Sequence, residues 1–459
     1  MESKVEILSK EMVKPSSPTP THLRDFKISL LDEMVPPTYV PIILFYCAGT
    51  DGAQDFEVIS NKLKFSLSKI LNLYYPFCGR LKATSSSSVD CNDEGVLYIE
   101  SKIPTNLSDT LKLSQSQIKE LLLPFDPYDV PSTMDNYDRS MVNMAVQLSE
   151  FRCGGIALGV CLAHKLADAA ATASFLNSWA EATRDIDNGG NGSIVEPPRM
   201  DASLIFPPRG IELAINELMV VGGSGGGAHD EKLVTKCFLF NATNLSSLKA
   251  RFGDFNATGV EAITALIWRS AIQAAKAATA GGGESKTTLK PSLVCHAVDI
   301  RNRMVPSLPK TLFGNLCLYS FTDLVESDGI YGSEELDDLV EIVRNGIKEA
   351  IANYSGLLQG DGSLDELVEF FKEARSMFAD NFVTCYGFTS WTRFGFYEVD
   401  FGWGKPSKVR HISHPLKNVV YLMPTRTGDE IEAWISMTEH EMVQFQRNPE
   451  LLQYASLEF

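Results

Sequence analysis

The stretch Gly154-Gly155-Ile156-Ala157-Leu158-Gly159-Val160-Cys161-Leu162-Ala163-His164-Lys165-Leu166-Ala167-Asp168 runs straight into Ala169-Ala170-Ala171-Thr172-Ala173-Ser174-Phe175-Leu176-Asn177-Ser178-Trp179. Its first part is an unbroken apolar run of strand length. Its last part is Ala-rich, with Phe175, Leu176, Trp179 and Ala180 at helical spacing. His164 stands where one becomes the other. A strand fixes the backbone at such a junction, and the N-terminus of the following helix aims unpaired N–H groups and a partial positive charge at it. A neutral imidazole is favoured beside that charge. With an ordinary pKa of about 6.5 it accepts a proton at neutral pH, as a general base must. The competing reading is a core histidine satisfied by a backbone carbonyl. Of the seven histidines, His164 alone has an aspartate four residues on, a spacing that also arises by chance.

With 459 residues and 44% hydrophobic content, the chain has material for two sizeable cores, and its length favours two or three domains. The net charge of −17 argues against a nucleic-acid surface and against adhesion to anionic lipid, although a local Lys/Arg pocket can still hold a phosphorylated cofactor. Nine cysteines are scattered without a Cys-x-x-Cys pair, several inside apolar runs. They read as buried free thiols in a reducing compartment, with neither zinc nor disulfides signalled. The opening residues lack the apolar core of a signal peptide, and no run approaches the length that spans a bilayer, so a cytoplasmic protein is expected. Sequons such as Asn241-Ala242-Thr243 are then unused.

Residues 5 to 13 alternate like a first strand, and the prolines at 15, 18 and 20 make the next segment loop-like. Tyr39 to Tyr46 reads as a buried strand, and Phe56 to Leu73 as an amphipathic helix with Ile59, Leu63, Phe65, Leu67, Ile70 and Leu71 mostly on one side. Val96 to Glu100 and Met141 to Leu148 read as strands. Asn188 to Gly192 and Gly222 to Gly227 are flexible stretches that mark the crossover between halves. The second half reads as strands over Leu233 to Phe240, Ser292 to Val298, Leu316 to Phe321 and Phe382 to Trp391, with helices over Val260 to Ala278, Glu334 to Ala352 and Leu364 to Arg375. A late hairpin (Val419 to Met423, Ile431 to Met437) and a closing helix over Glu441 to Leu452 follow. Helices and strands in both halves place the chain in the α/β or α+β class.

Gly222-Gly223-Ser224-Gly225-Gly226 spells a nucleophile elbow, but no strand-to-helix turn surrounds it, so linker is the reading. His411-Ile412-Ser413-His414 has ligand types without a third ligand nearby, which reads as a surface loop. No phosphate-binding loop of the P-loop type occurs. After Trp391, the segment Arg393-Phe394-Gly395-Phe396-Tyr397-Glu398-Val399-Asp400-Phe401-Gly402-Trp403-Gly404-Lys405-Pro406 sets glycines around a tryptophan, with Asp400 able to accept donors from its own loop. By physics alone it is a rigid, self-bonded turn. The functional alternative carries Asp400 beside His164 as a catalytic acid or base.

His164-Lys165-Leu166-Ala167-Asp168 together with Asp400-Phe401-Gly402-Trp403-Gly404 resembles the two signatures of the plant BAHD acyltransferases, in that family's order and separation. Tyr75-Pro76-Phe77-Cys78-Gly79-Arg80-Leu81, Arg301-Asn302-Arg303-Met304 with Pro309, and Phe313-Gly314-Asn315 extend the resemblance over nearly the whole chain. The opening Lys14 to Pro20 and Leu30-Leu31-Asp32 are similar to the branch of alkaloid acetyltransferases and the alcohol acetyltransferases of scent and fruit esters. One departure is Ala169, where many relatives carry glycine after the aspartate.

The resemblance implies an α/β, two-domain, chloramphenicol-acetyltransferase-like fold, each domain a mixed sheet with helices, with an active-site channel between them. The expected division is 1–208 with the first motif, a flexible linker 209–232, and 233–459 with the second. It implies an O-acyltransferase that moves acetyl from acetyl-CoA, a co-substrate rather than a resident cofactor, to a small-molecule alcohol without an acyl-enzyme. His164 is the implied base, Trp391 and Thr389 the oxyanion donors, and Asp168, Arg301, Gly402, Trp403 and Gly404 structural support, with Arg301 or, in reserve, Arg303 pairing Asp168. Packing at a strand end is the competing reading of Thr389. No metal, nucleic-acid or membrane partner is implied, and a monomer is expected. A binding protein on the same fold and a CoA-independent hydrolase using Ser224 are the alternatives.

Overall fold

The computed structural model describes residues 5–48, 55–82, 87–129, 141–187, 195–210, 232–280, 289–326, 335–358, 383–414 and 416–458, with isolated positions between 365 and 372. The Gly222–Gly227 tract with Ser224, the Asn188–Gly192 tract, Gly281–Gly283 and most of the helix expected over Leu364 to Arg375 lie outside the described residues. The chain divides into two compact units. The first comprises Met1–Ala214, Pro309–Leu316 and Phe394–Ile412; the second comprises Ile215–Leu308, Cys317–Arg393 and Ser413–Phe459.

In the first unit, Ile156–Ala163 lies inside a six-stranded mixed sheet ordered Glu6–Val13, Val96–Ile103, Met144–Phe151, Ile156–Ala163, Tyr39–Tyr46, Lys408–His411. It pairs antiparallel with both neighbours, and all eight of its residues are buried, which is why the run carries no polar alternation. Packing on it is close. A Cβ at Gly159 would lie 2.0 Å from the Leu122 carbonyl oxygen at the end of the helix Gln115–Leu122. The helices Phe56–Ile70 and Ala169–Asp187 are joined by Trp179, whose indole N–H donates to Ser66 Oγ at 3.0 Å. Phe175, Leu176, Trp179 and Ala180 are fully buried, as their spacing predicts. Phe65 is not on the buried face; it is 53% exposed, with the Lys69 ammonium 4.5 Å from its ring centroid.

Two stretches expected in the C-terminal domain pack in this first unit instead. Lys408–His411 adds antiparallel to Tyr39–Tyr46, a wholly buried strand whose edge needs a partner. Phe313 sits edge-on to Phe26, Tyr74 and Phe77, and its amide donates to the Arg199 carbonyl at 2.9 Å. His411, Ile412 and Ser413 are buried rather than forming the expected surface loop. Among the described residues no three His, Cys, Asp or Glu side chains are grouped to hold a metal.

The second unit has a seven-stranded mixed sheet ordered Cys317–Phe321, Ser292–Asp299, Thr384–Ser390, Val419–Pro424, Ile431–Thr438, Leu233–Phe240, Ser456–Glu458. The hairpin turn carries Gly428 at φ 81°, where glycine is favoured. The helix Gly259–Ala280 docks through Trp268, whose indole N–H donates to Ser292 Oγ at 3.0 Å. The helix Ala242–Arg251 escaped the sequence reading; Asn241, noted only as a sequon, caps it by accepting the Asn244 amide at 2.8 Å. The closing helix is broken into Glu439–Phe445 and Pro449–Tyr454, since Pro449 has no N–H to continue the first and Asn448 caps the second. All nine cysteines are free. Cys47 and Cys153 are exposed, which departs from the expectation of buried thiols. No helix among the described residues is long and apolar enough to cross a membrane.

Candidate active site

The strand carrying the apolar run ends at Ala163, and His164 is the first residue beyond it. Its amide donates to the Thr38 carbonyl at 2.8 Å, so the backbone stays tied to the strand. Its carbonyl accepts from Asn315 Nδ2 at 2.7 Å, and its ring Nδ1 lies 3.1 Å from Asn315 Oδ1. The ring is half-buried. Burial pushes its pKa below 6.5, outweighing the opposing influence of its own backbone, Asp168 and Asn315. The imidazole is therefore neutral at pH 7, as expected, but desolvation is the main cause rather than a helix end. The helix begins only at Ala169, and its first turn is occupied: Asp168 Oδ1 accepts the Ala171 amide at 2.8 Å.

Asp168 uses its other oxygen on the Leu316 amide, at 2.9 Å. The strand-to-helix junction thus separates it from the role that four-residue helical spacing would give it, and Asn315 takes the ring nitrogen. Asn315 in turn sits on Asp32: its amide N–H and its Nδ2 both donate to Asp32 Oδ1 at 2.7 Å. Asp32 is fully buried, and its other oxygen accepts from Ser29 N at 2.8 Å and Ser29 Oγ at 2.7 Å. Burial pushes its carboxyl up to about 6. Asn315 and Asp32 were quoted in the sequence only as parts of longer motifs. The one local signal was Gly314, at φ 124°, where a Cβ would come within 3.3 Å of Asp32 Oδ1.

The Asp400 segment folds as the self-bonded turn its glycines predict. Asp400 Oδ1 accepts from the Gly402 amide at 2.8 Å and the Gly404 amide at 3.0 Å, with those glycines at φ 110° and 100°. Arg184 donates to the Asp400 carbonyl oxygen. Phe401 is buried edge-on to Trp179, at 5.2 Å between ring centroids, and stacks on Trp403 at 5.4 Å. The Tyr46 hydroxyl closes the turn by donating to the Val399 carbonyl at 2.9 Å.

In the second unit, Thr389 and Trp391 stand at the end of Thr384–Ser390, and the Trp391 indole N–H donates to Thr389 Oγ1 at 3.2 Å. They are two links of one chain rather than two independent donors: with its oxygen taken by the indole, the Thr389 hydroxyl keeps its own proton to give. Arg301 is buried and bonded to Asp299, through Nη1 at 3.0 Å and through its amide at 3.2 Å. Arg303 Nη1 donates to the Asp299 carbonyl at 2.5 Å.

The Transferase family model matches residues 3–452. Stemmadenine O-acetyltransferase of Catharanthus roseus is 35% identical over 96% of each chain. Vinorine synthase of Rauvolfia serpentina is 34% identical over 96% of each chain. A vinorine synthase crystal structure matches with a TM-score of 0.80 at 31% identity, over 99% of both chains. The structure of TRI101 from F. sporotrichioides, complexed with coenzyme A and T-2, matches at 0.69 and 19% identity over 94% of this chain and 99% of that one, a likeness of fold alone. The chain therefore belongs to the Transferase family, as one of the BAHD acyltransferases on the two-domain, chloramphenicol-acetyltransferase-like fold.

Proposed function

We propose that this chain moves an acyl group, acetyl in the first instance, from a coenzyme A thioester to a hydroxyl of a specialised metabolite or volatile alcohol, with His164 as general base. The observation that carries this is a half-buried imidazole on a rigid strand end, its pKa lowered by burial so that it is unprotonated, with a lone pair free to take a proton, at neutral pH. The O-acetyltransferase relative supports acetyl as the group and a hydroxyl as the acceptor.

The acceptor O–H gives its proton to the imidazole while its oxygen attacks the thioester carbonyl carbon. The C–S bond then breaks with its electron pair on sulfur, and the imidazolium returns the proton to the thiolate, leaving an ester and the free thiol. No acyl-enzyme is formed. Thr389 is the proposed oxyanion donor, its hydroxyl polarised by the Trp391 indole. Asp168, Arg301, Gly402, Trp403 and Gly404 support structure, and Asp400 belongs with them. The chain acts as a monomer in the cytoplasm, a reducing compartment that suits its free thiols.

Incubating the purified chain with acetyl-CoA and a panel of alcohols should release free thiol, and His164→Ala should slow release by ~10²- to 10⁴-fold. Undiminished release by His164→Ala would overturn the reading.

A further inference from the structure

We infer that Tyr421 and Trp391 form the wall against which the acyl carbons of the donor lie, and that Tyr421 limits their number, which makes it a specificity-determining residue for short acyl groups. This rests on the acyl-transfer reading, with Thr389 as the oxyanion donor, and assigns what surrounds the group so held. In the seven-stranded sheet Thr389 pairs with Ala297 on one side and with Tyr421 on the other, and Ala297 pairs in turn with Tyr319. Paired residues leave a sheet on the same face. That face is turned away from the core, since Phe388 and Val420, which precede Thr389 and Tyr421 in their strands, are packed in the hydrophobic cluster with the helix Gly259–Ala280. Tyr319, Ala297, Thr389 and Tyr421 are all half-buried, so they make an accessible row across the sheet.

The two sides of Thr389 differ. A thioester carbonyl is planar, so with its oxygen on the Thr389 hydroxyl the acyl chain and the sulfur leave on opposite sides. Strands lie about 4.8 Å apart, and the side chains those two groups meet first are Tyr421 and Ala297. The Tyr421 ring stands at 90° to the Trp391 indole with centroids 5.9 Å apart, an apolar corner closed at its base by the indole N–H on Thr389 Oγ1. The Tyr421 hydroxyl is hydrogen-bonded to the His414 backbone, which fixes the ring in place. Beyond it on the same face come its strand partner Trp434 and, bonded to that indole at 3.2 Å, the carboxylate of Glu432. Ala297 presents a single methyl between Thr389 and Tyr319, and its strand runs on into Asp299, where the guanidinium groups of Arg301 and Arg303 gather on one residue. A polyanionic coenzyme arm is repelled by a carboxylate and drawn to excess positive charge, whereas acyl carbons gain from apolar surface. The sulfur therefore leaves over Ala297, and the acyl group meets Tyr421.

The test measures kcat/KM of the full chain for acetyl-CoA and hexanoyl-CoA with one alcohol acceptor. Wild type should favour acetyl by ~10-fold or more, the penalty of methylenes that do not fit an apolar pocket. Tyr421→Ala, which empties the corner, should raise the hexanoyl-to-acetyl ratio by ~10-fold or more, and Tyr421→Phe, which keeps the ring, should leave it within about twofold. Tyr421→Leu decides the matter if the alanine variant does not fold. A ratio unchanged in a folded Tyr421→Ala or Tyr421→Leu chain, or moved as far by Tyr421→Phe, overturns the assignment. So does a KM that rises equally for both donors, which would put the coenzyme arm on the Tyr421 side. Turnover of neither donor by wild type would instead fail the acyl-transfer reading; calorimetric titration with S-ethyl-CoA and S-hexyl-CoA, which needs no turnover, then still reads the wall. A gain in affinity confined to S-hexyl-CoA in Tyr421→Ala supports it, and an equal change for both ligands overturns it.

Discussion

Replacing Asp400 separates a carboxylate that holds a loop from one that does chemistry. In Asp400→Ala the amides of Gly402 and Gly404 lose their acceptor, at 2.8 and 3.0 Å, in a loop whose backbone is otherwise set by two glycines at positive φ. The site is half-open to water, so each bond contributes about 1 kcal/mol rather than the larger value of a buried charged acceptor, or about 2 kcal/mol together. At roughly 2–4 °C per kcal/mol for a unit of this size, Tm should fall by about 4–8 °C. Asp400→Asn keeps an oxygen for both amides and loses only charge, so its cost should stay below about 1 kcal/mol. Thermal unfolding followed by circular dichroism, paired with initial rates taken well below Tm, reads both quantities. Asparagine should restore stability and nearly all activity. An Asp400→Asn chain with wild-type Tm that is as inactive as His164→Ala would make the carboxylate catalytic and sink this account.

Burial lowers the pKa of His164, and the base form is lost as pH falls, so the acid limb of kcat/KM should have its midpoint below 6.5; a midpoint at or above that value refutes the desolvated base. Asp32 gives the opposite kind of signature. Its folded value, about 6, stands above the 3.8 of the free group, so the folded chain binds that proton more tightly and stability drains away as pH rises between the two, levelling off above. That is about 3 kcal/mol, and comparing denaturant unfolding of Asp32→Asn with wild type should show the difference shifting toward the variant by this order as pH rises through the window. A difference independent of pH would show that the carboxyl is not perturbed.

Patterns confined to a dozen residues were legible without coordinates. The apolar run at 156–163, the buried stripe of Phe175, Leu176 and Trp179, and the glycine-pinned turn at 400–404 each follow from local periodicity or backbone freedom, and each is seen in the fold. What escaped was decided by neighbours in space. Phe65 has the same helical register as a core residue yet faces water, and His411 looks like loop but is buried in a strand that closes a sheet edge. The break at Pro449 is legible in the sequence from the proline's missing N–H.

The division is sharpest at the candidate site. Sequence alone determined that a histidine stands where a buried strand gives way to a helix, because strand and helix are specified by short-range spacing. Only the tertiary structure decided what that histidine touches. Asn315 comes from 151 residues away along the chain, and Asp32 reaches Asn315 across 283. No propensity or period extends over such distances; packing brings these side chains together, and the need of a buried carboxylate and a buried carbonyl for donors then dictates which end of the amide faces the ring.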